Sequence, residues 1–324
     1  MSTIAEHARP VDISIVLRTY NEDKYLSELL QGIQDQDAQE HGVEVVLVDS
    51  GSTDRTLEIA HEYGCRIVEI KKSEFTFGRS LNFGCKAARG KYLVFVSGHC
   101  VPVDSAWLSS LVRPLQESIV DYSYGRQVGR DTTKFSEHQV FKKYFPSVSR
   151  VPQEGFFCNN ANAALKKSSW QRFYFDEALT GLEDMMLAKQ ICNSGGAIGY
   201  VAEAAVYHIH DETWRQVRTR YEREAIALRA IMPEVQLTFL DCQRYFFSGA
   251  LHDCSVALDE GVLRKKLFEI IKFRLMQFWG AYRGNRSHRV LSAKRREEYF
   301  YPARIKGAVR DTTNRRSAAT ESPQ

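Results

Sequence analysis

No run of about 18 apolar residues occurs in this chain, so nothing in it should cross a membrane as a helix. Its first residues, MSTIAEHARPVD, contain no apolar h-region, so no secretory signal is expected in them. The seven cysteines are odd in number and form no CxxC pair. Cys65, Cys85, Cys158, Cys192, Cys242 and Cys254 therefore read as small apolar side chains, kept reduced in a cytoplasmic protein. There is no internal repeat, and no glycine-rich phosphate loop.

What is present is a chain of 324 residues, 44% hydrophobic, enough to bury a full core. Ile13–Glu22 reads ISIVLRTYNE and Val43–Asp54 reads VEVVLVDSGSTD, with Leu26, Leu29, Leu30 and Ile33 between them at helical spacing. This predicts a βαβ unit whose strands are apolar throughout, as parallel strands covered on both faces must be. Both polar clusters then lie at carboxyl ends of neighbouring strands, where open α/β sheets take their ligands. Further pieces alternate: a helix over 54–63, a strand near Cys65–Ile70, a helix from Phe77 and a strand Tyr92–Val96 running into SGHCVP. A strand is expected over Val120–Val128, a helix within Lys134–Phe145 and a short strand at Asn162–Leu165. A helix over Glu183–Cys192 and two short strands, Ala197–Val201 and Ala204–His210, follow. From Trp214 the pattern is helical, roughly 214–231, 235–258 and 262–282. The fold class expected is α/β, a doubly wound, mostly parallel sheet with a helical C-terminal extension. Its parts would be a nucleotide-binding α/β domain over 1–212, a helical basic region over 213–306 and a disordered polar tail over 307–324.

The net charge of +4 hides an asymmetry: residues 264–310 hold 14 Lys and Arg against 3 Glu, a surplus of 11 that leaves −7 elsewhere. A basic segment on an acidic body points to an anionic partner, a phospholipid surface or a nucleic acid. Leu263, Leu267, Ile270, Ile271, Leu275, Phe278, Trp279 and Tyr282 share a helical face that either packs on the catalytic part or lies on a bilayer.

TYNE at 19–22, VDSGSTD at 48–54, FGRSLNFG at 77–84, FVSGHCVP at 95–102 and LED at 182–184 together resemble the family 2 glycosyltransferases, inverting enzymes of the GT-A fold, most closely the rhamnosyltransferase-like branch. The resemblance implies that Asp49 accepts hydrogen bonds from the donor's base or ribose, with Thr19, Asn21, Glu22 and Ser97 lining that pocket and Arg79 near the phosphates. The plainer readings are a turn-capping Asp49, a helix-start Glu22 and an Arg79 in a surface ion pair. Asp184 matches the family's base, and Glu183 would orient the acceptor or brace the loop; two acids at a helix N-terminus are the alternative. Asn160 and Asn162, beside Asn159, resemble the loop that meets donor sugar and acceptor.

The family's Asp-x-Asp is missing, replaced by Ser97-Gly98-His99. His99 could still ligate a divalent metal, and imidazole suits Mn²⁺ or softer ions better than Mg²⁺. His208 and His210 would face one side of a strand and supply further ligands, or contact the diphosphate directly. The expected partners are a UDP- or dTDP-sugar and a surface-polysaccharide or lipid-linked glycan acceptor, met in the cytoplasm or at the inner membrane face, with an anionic membrane surface reached through 264–310 and no nucleic acid. A non-catalytic nucleotide-sugar-binding subunit stays open on the missing carboxylates. A nucleic-acid-binding protein would leave the N-terminal motifs unexplained.

Overall fold

A computed structural model describes residues 10–37, 42–286 and 299–300. The expected tail over 307–324 lies outside the described residues, as do Arg289, Lys294, Arg295 and Arg296 of the basic segment.

The first half alternates as the apolar pattern requires: β1 (Val11–Thr19), α1 (Asp23–Gln34), β2 (Gly42–Asp49), α2 (Thr56–Glu62), β3 (Arg66–Glu69), α3 (Phe77–Ala87) and β4 (Tyr92–Ser97). Along β1, Ile13, Ile15 and Leu17 enter one core and Val16 the other. Period-2 alternation with apolar residues on both faces is what lets helices cover both sides of the sheet. The α1, α2 and α4 helices (α4 being Trp107–Gln116, after β5, Cys100–Pro102) fill the first layer.

Then come β6 (Tyr122–Val128), α5 (Phe135–Tyr144), β7 (Asn162–Lys166), α6 (Lys167–Phe173), α7 (Glu183–Asn193) and β8 (Ile198–His208). The sheet runs β3-β2-β1-β4-β7-β6-β8-β5. β1 pairs in parallel with β2 and β4, β2 with β3, and β6 with β8, while β7 is antiparallel to both its neighbours and β5 antiparallel to β8. Two details depart from the sequence expectation. β8 is one strand of 11 residues rather than two, its irregularity absorbed as a register shift opposite Gly125–Gln127. The short β5 is set not by its own pattern but by the pairing Cys100↔His208.

After β8, α8 (Trp214–Ile231) starts at a capping box on Thr213 and Gln216. α9 (Phe239–Asp259) and α10 (Leu263–Asn285) follow, antiparallel neighbours pinned by the buried pair Arg274–Asp253, two hydrogen bonds of 2.7 Å each. α10 meets α8 through Gly280 and Gly284, one turn apart. A Cβ at 280 would stand 2.4 Å from the Arg218 carbonyl oxygen, and one at 284 would stand 2.1 Å from that of Glu222. Only glycine permits such an approach. Gly284→Ala is expected to cost about 1–3 kcal/mol by forcing the helices apart, read as a lower Tm by scanning calorimetry; an unchanged Tm would show that the two helices do not need this contact.

Candidate active site

The carboxyl ends of β1, β2 and β4 lie side by side, with Thr19 opposite Asp49 and Arg18 opposite Ser97. At the β1 end the chain turns through Asn21, a non-glycine residue at φ 55°. The turn is held by Asn21 N–H donating to Ser52 Oγ and by Thr53 N–H donating to Asn21 Oδ1, both 2.8 Å. Left-handed non-glycine residues concentrate where a site over-determines the backbone. Leu182, immediately before Glu183, is another, at φ 54°.

Asp49 is buried and saturated. Its Oδ2 accepts from the Gly51 and Ser52 N–H groups at 2.8 Å, and its Oδ1 from Thr19 Oγ1 at 3.1 Å and Ser52 Oγ at 2.5 Å. A carboxylate offers about four lone-pair sites, so the expectation that Asp49 receives the donor's base or ribose gives way to the turn-capping reading. Thr19 serves the same turn. Arg79 is likewise corrected: its Nε donates to Glu177 at 2.7 Å and its Nη1 to the Glu74 carbonyl at 3.1 Å, a half-exposed ion pair on α3. Asn162 is a third correction. Its Oδ1 accepts from Trp107 Nε1, and both Nδ2 hydrogens go to the carbonyls of Arg126 and Ala204, so this buried side chain serves the packing of β7 and has no donor left for a sugar.

The arginine that does reach the site is Arg18, absent from the motif residues although a lone cation in an apolar strand is a readable signal. Its Nη1 donates to Glu183 Oε1 at 3.0 Å and to the Phe77 carbonyl at 3.2 Å, and its guanidinium lies over the Phe77 ring. Glu183 is thus engaged, as a brace between α7 and β1. Asp184 is its buried neighbour, and its Oδ2 accepts the Asn160 N–H at 2.7 Å. Burial, reinforced by Glu183, pushes the Asp184 pKa up to about 7, although the N–H groups of Asn160 and Met185 and the Arg18 charge oppose it. Asn160 presents a buried Nδ2 that has no partner among the described residues, while its Oδ1 accepts from the Tyr122 hydroxyl. An unpaired buried donor beside a carboxyl near neutrality suits a ligand hydroxyl.

His99, His208 and His210 converge, each offering a ring nitrogen within 4.8 Å of the others'. The ring centroids of His208 and His210 are 4.0 Å apart, and His99 stacks on His208 at 5.2 Å. β5 makes this possible, because its pairing with β8 brings the turn after β4 to the end of β8, where Ile209 N–H donates to the His99 carbonyl at 3.1 Å.

The Nδ1 of His208 and of His210 meets a hydrogen-bond partner, and that of His99 faces a carboxylate. His210 Nδ1 meets Glu137 Oε1 at 2.8 Å, and His99 Nδ1 faces Glu22 Oε1 at 3.6 Å. His208 Nδ1 meets Gln127 Oε1 at 2.6 Å. For His208 the proton position follows from a chain of donors. The Ala161 N–H fixes Asn159 Oδ1 as an acceptor, so Gln127 turns its Nε2 toward Asn159 and its Oε1 toward His208. His208 Nδ1 must then carry hydrogen, leaving Nε2 with its lone pair. Burial, with His210 and His99 close by, pushes the His208 pKa well below the ordinary histidine value, so this ring stays neutral.

Beneath the cluster, Arg220 of α8 donates to Glu137 and Glu212. Burial works against ionised Glu137, yet His210 and Arg220 hold it well below the usual carboxylate range. Carboxylate-to-histidine contacts of this kind orient metal-bound imidazoles and raise their basicity. Three clustered imidazoles fit a divalent ion of the Mn²⁺ class or softer, and fit Mg²⁺ poorly. Gln127, Glu137 and Arg220 carry no sequence signal for this role, because only the packing of β6, α5 and α8 brings them under the histidines.

Residues 14–173 match the model of the family described as Glycosyl transferase family 2. The chain carries a family 2 glycosyltransferase domain. It is 24% identical over 255 residues to the O-antigen chain rhamnosyltransferase RfbN of Salmonella typhimurium, covering 75% of this chain and 73% of that protein. It is 26% identical over 223 residues to the O-antigen chain rhamnosyltransferase WbaN of Salmonella anatum, covering 65% and 63%. The mannosyltransferase PcManGT of Pyrobaculum calidifontis, solved with GDP-Man and Mn²⁺, superposes with a TM-score of 0.61 at 16% identity over 84% of this chain and 86% of that one. That likeness carries the GT-A fold.

Proposed function

We propose that the protein is an inverting glycosyltransferase that moves a sugar, a deoxyhexose being favoured by the likeness to RfbN, from a UDP- or dTDP-sugar to a surface-polysaccharide or lipid-linked glycan acceptor. The observation that carries this is Asp184: a carboxyl with a pKa near 7, set beside the Arg18–Glu183 pair and one residue-contact from the unpaired Asn160 amide. A base is most effective when its pKa lies near the working pH.

In the transfer, the acceptor oxygen forms its bond to the anomeric carbon as the bond to the diphosphate oxygen breaks, and the hydroxyl proton passes to Asp184. Glu183, held by Arg18, braces the α7 N-terminus so that Asp184 keeps its aim. Asn160 Nδ2 is placed to hold a sugar or acceptor hydroxyl. The departing charge needs positive countercharge. His99, His208 and His210 would hold a divalent metal, which when bound would neutralise the diphosphate; Arg18 lies at the same strand ends, opposite Ser97. A lipid-linked acceptor would bring the chain to the inner face of a membrane.

The non-catalytic alternative leaves the raised Asp184 pKa without a use. Calorimetric titration with UDP, dTDP, GDP and CMP, each with Mn²⁺, Mg²⁺ or EDTA, tests the donor site. One pyrimidine diphosphate should bind selectively with Mn²⁺, more weakly with Mg²⁺, and not in EDTA. Binding indifferent to EDTA would remove the metal from the histidines, and no binding to any nucleotide would sink the donor-site assignment.

A further inference from the structure

The outer helices expose large apolar side chains that the rest of the described fold does not cover. On α9, Leu240, Phe247 and Leu251 are 74%, 59% and 69% exposed, whereas Cys242, Gly249 and Asp253 are the positions that meet α10. On α10, Phe268, Leu275 and Trp279 recur at helical spacing and are exposed, while Gly280 and Gly284 face α8. The apolar face expected from sequence is therefore split: Ile270 is buried, and Phe268, which lies outside that expected set, is the most exposed of all at 76%. Monomeric proteins rarely expose this many large apolar side chains on two neighbouring helices without a use.

We propose that the α9–α10 hairpin seats this protein on an anionic lipid bilayer, its apolar side chains entering the interface and its basic residues meeting headgroup phosphates. Charge selects the occupant. Lys266, Arg274 and Arg283 of α10 are neutralised by Glu269, Asp253 and Glu222. Arg264 and Lys265 at one end of α10 and Arg286 just past the other are exposed and make no ion pair with a carboxylate among the described residues, while exposed Arg244 on α9 has Asp241 one turn away. Beyond Arg286 the sequence to position 310 adds 7 Lys and Arg against 2 Glu, the same sign. A second copy of this chain on the same surface would set two such surpluses against each other. An anionic bilayer gains from both the apolar and the basic residues. No helix among the described residues is long and apolar enough to cross a membrane, so the seat is in the plane of the interface.

The test is co-sedimentation of the full chain with vesicles of phosphatidylcholine alone or mixed with phosphatidylglycerol. Binding is expected on the anionic vesicles, weakening as salt rises and falling at least about tenfold in the double variant L251E/F268E. Both positions are exposed, so the variant's Tm and nucleotide binding should match the parent's. If the variant unfolds, the salt and lipid dependence of the unmodified chain decides. No binding to either vesicle, equal binding to both, or a dimer seen by light scattering that L251E/F268E dissolves without any vesicle binding would each overturn the proposal.

Discussion

Asp184→Asn is expected to slow sugar transfer by about 10²–10⁴-fold, the usual contribution of a positioned base. Nucleotide diphosphate binding should stay within about twofold, because the residues proposed to meet the diphosphate are untouched. Single-turnover transfer and calorimetric binding separate the two effects. A loss of binding equal to the loss of rate would mean that Asp184 holds the donor rather than taking the proton.

The same substitution has a signature in stability. The Asp184 pKa is raised from 3.8 to about 7, so between those values the folded chain holds a proton that the unfolded chain has released. Stability therefore falls as pH rises through this window, by on the order of 4 kcal/mol in the limit of a fully buried group. Asparagine removes that dependence. The Tm of Asp184→Asn minus that of the parent should grow between pH 5 and pH 8, even though asparagine serves the Asn160 and Met185 N–H groups less well. A pH-independent difference would mean that burial does not raise this carboxyl.

Gln127→Leu is expected to weaken metal binding by about 10–100-fold while leaving all three histidines in place, the range found when a partner of a metal-bound imidazole is removed. Gln127 is the sole fixed acceptor found for His208 Nδ1 among the described hydrogen bonds, and it is itself oriented by Asn159. Leucine fills the space but leaves the His208 N–H without an acceptor in a buried site, so the ring can flip and withdraw Nε2. Cobalt titration followed by its visible absorption reads the site without any turnover, and Tm confirms folding. Parental cobalt affinity in a folded variant would rule out His208 as an oriented ligand.

Some of this site is legible in a single sequence because it is coded locally. Glu183 and Asp184 follow a leucine and open a helix, as they do in the fold; His208 and His210 stand two apart, although the strand ends at His208 and His210 lies just past it rather than within the expected strand. Arg79, Asn162 and Asp49 illustrate the opposite case. Each sits in a motif that resembles a ligand contact, yet each is used by a neighbour. Arg79 pairs with Glu177, 98 residues away; Asn162 pins Trp107; and Asp49 holds the turn it begins. A polar side chain's allegiance depends on which partner folding brings closer, and periodicity carries no information on that.

The sequence by itself determined the alternating apolar strands and helices, the polar clusters at the strand ends and the basic C-terminal helices, since these follow from residue spacing along one chain. Strand order was decided only by tertiary structure. Insertion of β7 between β4 and β6, and pairing of β5 with β8, carry His99 to His208 across 109 positions and Arg18 to Glu183 across 165. Those contacts arise from how layers pack, a property of the whole sheet that no local window of residues contains.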